Sequence, residues 1–429
     1  MFGFANFLLL ALFAAAVFDL IFALARGGGL RGALHGLWNT PHLLFGQQLA
    51  EWRLQLGRIL FAAGLAAYEI SVVFCNSMAR QNWAWVQGVM SPVLEWLAFL
   101  CFGAKILFGT RYTWRELLAG GALYFIARWV YFNSQNIWWI GIVVAVLAAK
   151  DVPLRRPLQV YFASGCAAMA VVLALHFAGI VAPDLTSERM GALRGTYGYG
   201  HPNTFGGLVF GLVLAYALLR AQKVRWVDCL LVFAVGVFLL VGPASRSAAL
   251  CTLALAVGLV FCRLRTGHSV PRWWPGTCAG MVGLTAAVSY LLPLLVIKVG
   301  PWNNDIGPAW LAKLDSLLTC RISLTWMAYR LLDVKIAGQV FNWPTVDNSF
   351  AFALFQFGPV VAALLGILFS AALWGHAKQG RRVEVCCLFA MLAYAYMEVQ
   401  PFHLTTNPTV LLLCGAVFAQ TSARWQKIE

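Results

Sequence analysis

Charge is what this sequence has least of. Of its 429 residues only 11% are Asp, Glu, Lys or Arg, whereas a soluble chain carries about 25%. That is too little to clothe a water-facing surface of this size, which excludes a soluble globular enzyme. The 16 acidic residues include no Asp-x-Asp or Glu-x-Asp pair, so the sequence lacks a metal-holding carboxylate pair. The eleven cysteines contain no Cys-x-x-Cys, and only Cys320 falls clearly in an outer loop; neither a disulfide framework nor a zinc site is indicated. Internal repeats and low-complexity tracts are absent too, which weakens a transporter built from inverted halves.

What is present is apolar. The hydrophobic class holds 61% of the chain, against about 45–50% in soluble domains. At about 20 residues per span, thirteen spans would use about 260 residues and leave loops without an independent soluble domain. The chain reads as one all-α, polytopic membrane domain over residues 1–429, its about thirteen transmembrane helices lying near 2–25, 57–78, 92–109, 116–133, 136–149, 158–182, 202–220, 226–242, 246–262, 277–297, 348–374, 383–400 and 408–423. The first apolar run ends in Ala23-Leu24-Ala25, as a cleavable leader would. A secretory signal, however, carries positive charge before its apolar run; Met1 to Asn6 carries none, and Arg26, Arg31, Arg53 and Arg58 follow. The positive-inside rule then predicts an N-terminus outside and, through alternation, a cytoplasmic C-terminus.

The net charge of +15 divides along this topology. Expected cytoplasmic loops hold 21 of the 31 basic residues, so most of the charge is topological and nucleic acid is not an expected partner. The other ten, Arg80, Arg128, Arg189, Arg194, Arg246, Lys298, Lys313, Arg321, Arg330 and Lys335, fall outside or near the outer ends. Basic residues there oppose the topology rule and call for a functional explanation. Most surround two long outer segments, 183–201 and 298–347, whose aromatic and charged content is unlike a linker's. Those segments are expected to fold onto the bundle and form the active-site side. Gly27-Gly28-Gly29-Leu30-Arg31-Gly32 matches a dinucleotide fingerprint formally, but it follows a membrane helix where that fingerprint needs a strand, and it is discarded.

Every odd-numbered span would begin on the outer face, where its helix N-terminus presents free N–H groups and partial positive charge. Gly200-His201-Pro202-Asn203 puts Pro near a first helical position, Ser245-Arg246 offers a hydroxyl cap, Asp347-Asn348 an Asp or Asn cap, and Asn407-Pro408 repeats the cap-then-proline order. With Arg194, Arg246, Arg321 and Arg330 nearby, four such starts would make an anion site suited to phosphate. Each cap taken alone need only start a helix.

At this point the residues carry a family resemblance. Arg194-Gly195-Thr196-Tyr197-Gly198-Tyr199-Gly200-His201-Pro202-Asn203, then Ala244-Ser245-Arg246-Ser247, then Cys320-Arg321-Ile322, then Val346-Asp347-Asn348-Ser349-Phe350 with Gly358 downstream resemble the ordered landmarks of Wzy-type polysaccharide polymerases and of the related O-antigen ligases. The likeness covers roughly residues 190–410. It implies a GT-C-like glycosyltransferase, independent of metal and cofactor, in the bacterial cytoplasmic membrane. Its substrates would be undecaprenyl-diphosphate-linked glycans, donor and acceptor, at the outer leaflet, with a chain-length regulator as a further partner. A sugar hydroxyl must attack the anomeric carbon while a lipid diphosphate leaves, so the site needs a base and cations.

The resemblance gives Arg246 and Arg321, with Arg194 beside them, to the diphosphate; the competing role is an arginine snorkelling to the interface. Asp347 stands where ligase-type relatives carry a His, which moves the base from imidazole to carboxylate and favours polymerase over ligase. His201 is the other candidate base. Asn203, Asn348, Arg330, Glu398 and His403 are candidates for substrate contact, and for Glu398 and His403 an interfacial pair is the competing reading. Trp302, Trp310, Trp326 and Trp343 could stack on sugars or pack the loop, and residues 321–336 read as a short helix covered by protein. Glu69 and Glu95 fall within spans, where ion pairing with Arg128 or Arg80, glycan contact and protonation stay open. A lipid-glycan flippase or transporter is the third reading.

Overall fold

Proline and glycine punctuate the apolar sequence, and the helices start and stop at them. Pro202, Pro275 and Pro359 each stand in the first turn of a helix, where the missing N–H would be unpaired in any case. The computed structural model describes residues 2–418 apart from 26–28, 47–49, 182–186, 190–191, 266–268 and 298–306. Arg26, Lys298, Trp302, Arg424 and Lys427 lie outside the described residues, as does the side chain of Arg189.

The protein is nearly all α, with two short antiparallel ribbons among the described residues: His42–Leu43 with Arg111–Tyr112, and Ser187–Arg189 with Ala192–Arg194. The second ribbon falls in the expected outer loop 183–201 and ends on Arg194. Among the described residues, eight helices are long and apolar enough to cross a membrane, as in a multi-pass membrane protein. Eight is fewer than the thirteen expected spans, and each shortfall has a physical reason. Ile137–Ala148, Trp226–Val241 and Arg382–Met397 hold 12, 16 and 16 residues; at 1.5 Å per residue the first is about 18 Å long against a hydrocarbon core of about 30 Å. Trp114–Ser134 includes Arg115, Glu116 and Arg128 and is too polar. Pro408–Leu413 is a 3-10 turn followed by the four-residue helix Cys414–Val417.

The expected span 348–374 is also divided. Ser349–Phe352 passes into a π turn over Ala353–Phe357, and Gly358, at φ +86°, starts a new helix, Pro359–Lys378. A Cβ at Gly358 would stand 2.1 Å from the Ile336 carbonyl oxygen, so the break is where the 336–338 loop presses on the bundle.

Apolar sequence therefore has two destinations. The Phe2–Ala25 helix leaves Phe7, Leu10 and Phe13 exposed, as an all-round apolar helix does when lipid is its solvent. Pro202–Leu219 instead has 13 of its 18 residues buried and packs against Arg155–Phe177, Arg246–Leu264 and Arg382–Met397. The ends of these central helices carry the site.

Candidate functional site

The glycine-rich element folds back onto the helix it starts. Tyr197 and Gly198 take positive φ, the Gly198 carbonyl accepts from Met78 N–H at 2.8 Å, and the Tyr197 ring stacks on Phe205 at 5.0 Å. Pro202 then opens the Pro202–Leu219 helix, with His201 as its cap, Nδ1 accepting from Asn203 N–H at 3.1 Å. This turn holds the buried Arg194 so that Nη2 donates to Asn203 Oδ1 at 3.0 Å and to the Ala244 carbonyl at 3.2 Å.

Ala244 brings in the second landmark. Ser245 Oγ donates to Asn203 Oδ1 at 3.5 Å and makes no cap bond, correcting its expected role as a hydroxyl cap. The approach depends on Gly206, where a Cβ would stand 2.3 Å from Ser245 Oγ. Arg246 begins the next helix with its side chain exposed, between Ser245 and a buried Ser247.

Glu398 is where the segments converge. It lies one residue beyond the Arg382–Met397 helix in extended backbone. Its Oε1 accepts from Asn203 Nδ2 at 3.0 Å, Ser247 Oγ at 3.0 Å and Arg321 Nη2 at 2.6 Å. Glu398 and Arg321 are each only 7% exposed in their side chains, and such a pair is held by its surrounding hydrogen bonds as much as by Coulomb attraction. Arg321 also donates to the carbonyls of Met397 and Leu318, so three of the five N–H groups of a guanidinium are engaged. Its helix, Arg321–Leu331, is started by a residue not expected to matter: buried Asp315 accepts from Ile322 and Ser323 N–H at 2.8 and 3.1 Å and from Ser323 Oγ at 2.8 Å.

The fourth landmark completes the group. Asn348, not Asp347, caps Ser349–Phe352, its side chain accepting from Phe350 and Ala351 N–H at 2.9 and 3.1 Å. Asn348 Nδ2 donates to Ser289 Oγ at 3.1 Å, and Ser349 Oγ donates to the Glu398 carbonyl. Asp347 stands 4.0 Å from Arg321 Nη2 with 32% of its side chain exposed.

Burial pushes the Glu398 carboxyl up to about 7, against the pull of Arg321 and with the Asp347 charge adding to the rise. At His201, burial and the Arg194 charge hold the imidazole below its ordinary value, and the Asp347 charge opposes them. Neutral His201 accepts at Nδ1, which leaves Nε2 as its N–H nitrogen.

The other candidates sit apart from Glu398 in every described contact. Arg330 is exposed and stacks over Trp326 at 5.3 Å; His403 packs on Trp138 at 4.1 Å. An interfacial Glu398–His403 pair is therefore replaced by the Arg321 pair. Trp310 and Trp343 are exposed. Arg128 bonds Asn6 and Arg80 bonds Gln87, whereas Glu69 is buried with Oε2 unpartnered among the described residues. No group of three His, Cys, Asp or Glu among the described residues is placed to hold a metal ion.

Ser247 and Ser349 lie inside the landmark motifs, a signal that could have marked them; Asp315 had only the scarcity of acids to mark it. Comparison with protein-family models, with curated proteins and with solved structures found no match to this chain.

Proposed function

We propose that the chain is a Wzy-type polysaccharide polymerase, a GT-C-like and metal-independent glycosyltransferase of the bacterial cytoplasmic membrane that joins undecaprenyl-diphosphate-linked repeat units at the outer face. The observation that carries this reading is the convergence on Glu398 of Asn203, Ser247 and Arg321, with Asp347 beside them. These come from the four segments on which the resemblance rests, and two of the three bonds to Glu398 span 151 and 195 residues of sequence.

In this mechanism a sugar hydroxyl of the acceptor attacks the anomeric carbon of the donor, its proton passes to Asp347, and the lipid diphosphate departs. Asp347 suits the base because its carboxylate is partly open, whereas His201 has its lone pair at Nδ1 engaged. Arg246, exposed at a helix start, and the remaining N–H groups of Arg321 would hold the leaving diphosphate. Glu398, its Oε1 already accepting three donors, serves as the positioning group for Arg321 and Asn203 rather than as the base. Arg194 acts through Asn203 and the Ala244 turn.

Purified protein in liposomes with synthetic lipid-linked repeat units tests the reaction class. A ladder of product lengths is expected. A single transfer to a foreign lipid or protein acceptor would make it a ligase, and movement of the lipid without bond formation would make it a transporter.

A further inference from the structure

The short helix Ala309–Leu317 has two faces with different uses. Leu311 and Asp315, four residues apart, are buried: Leu311 joins Val296 and Ile322 in a small apolar cluster separate from the main core, and Asp315 starts the Arg321 helix. Trp310, Lys313 and Leu317 follow one another at spacings of three and four, so they share the opposite face. Trp310 is 55% exposed and Leu317 68%, and Lys313 is exposed between them.

A bare tryptophan and leucine on a nine-residue helix need a covering, because exposed apolar patches mark a contact surface. What lies beside the helix identifies the covering. Trp274–Leu295, one of the helices fit to cross a membrane, leaves Leu284, Leu291 and Leu294 bare, and Ile297 two residues beyond it is 74% exposed. Val296, just beyond that helix, packs with Leu311 in the same buried cluster, so the 309–317 helix is seated beside the end of a helix fit to cross a membrane. The exposed face also has the chemistry of the membrane–water boundary: tryptophan, aliphatic side chains and a lysine whose stem can lie along lipid while its ammonium reaches phosphate. It carries no exposed carboxylate, since Asp315 is buried, and so suits anionic headgroups.

We infer that Ala309–Leu317 lies in the membrane–water boundary on the side of the site, with Trp310 and Leu317 among the upper acyl chains and the Lys313 ammonium at the headgroup phosphates. Asp315 on its inner face then fixes the Arg321 helix relative to the bilayer. This places the guanidinium at the depth where a lipid-linked anion carries its charge. Seating this helix in the boundary does not require the proposed reaction.

Trp310→Cys and Leu317→Cys, each with Cys320→Ser because Cys320 is an exposed thiol, can be spin-labelled in nanodiscs of phosphatidylethanolamine and phosphatidylglycerol. Collisions with oxygen should exceed those with a water-soluble nickel chelate at both positions. Greater relaxation by the nickel chelate at both positions would place the face in water, and weak relaxation by either reagent would place it against protein; both results overturn the inference. Wild-type protein photolysed with a phospholipid carrying a diazirine high on its acyl chain gives an independent reading. Adducts within 309–317 are expected, and their absence while Trp274–Leu291 is labelled would count against it.

Discussion

Asp347 and Asn348 are neighbours with different tasks. The sequence makes the pair visible but not the division, because Asp and Asn cap helices about equally well. The structure hands the cap to Asn348 and leaves the Asp347 carboxylate facing Arg321. The two arginines divide in a similar way. Arg321 uses its fork on Glu398 and on the carbonyls of Met397 and Leu318, bonds that one ammonium cannot reproduce. Arg321→Lys is expected to lower kcat/KM about 10- to 100-fold, in line with about 1.5–3 kcal/mol for hydrogen bonds to charged groups. Arg246→Lys, at an exposed helix start, should lose less while still falling below wild type. Initial polymerisation rates on folded protein check both, and wild-type rates in either variant would remove that arginine from the site. Glu398 adds a pH dependence. Its carboxyl is raised to about 7, so raising pH through that value ionises it and strengthens its hold on Arg321. The rate should climb across this window, and Glu398→Gln should flatten the climb; an unchanged profile in the variant would assign the limb to another group.

At the scale of elements, sequence patterns marked where helices begin better than what the caps do. Pro202 stands in the first turn of its helix as its chemistry requires, after the His201 cap. Ser245, a good cap residue by type, instead bonds Asn203, a partner 42 residues away that no local pattern could supply. Gly206 makes that bond reachable, and its role is equally tertiary. Gly206→Ala would set a methyl 2.3 Å from Ser245 Oγ. Overpacking of this kind costs about 1–3 kcal/mol, so a lower melting temperature and a loss of rate are expected together. An unaltered thermal melt with full activity would show that the Ser245 turn moves aside freely. The division of the expected span at Gly358 was not legible for the same reason: an apolar run of that length reads as one helix until the 336–338 loop is seen pressing against it.

For the whole molecule, composition alone gave the class, a nearly all-α chain with several helices fit to cross a membrane. Composition does not fix their number, because a hydropathy window cannot separate apolar residues facing lipid from those facing protein. Ile137–Ala148 is buried from Trp139 to Ala148, so protein, not lipid, explains its apolar sequence. The convergence of Asn203, Ser247, Arg321 and Asp347 around Glu398 is a property of the assembled bundle; the motifs were legible one by one, and Glu398, outside all of them, only as an unusual acid at a helix end. The most direct measurement is extension of lipid-linked repeat units in EDTA by purified wild-type protein beside Asp347→Asn, with binding of the lipid-linked donor followed in parallel. The expected result is a ladder from the wild type despite chelation, and from Asp347→Asn undiminished binding with extension reduced about 10²–10⁴-fold, the usual contribution of a general base. Loss of the wild-type ladder in EDTA with rescue by magnesium or manganese, or a full ladder from Asp347→Asn, would contradict a metal-independent site in which Asp347 takes the proton.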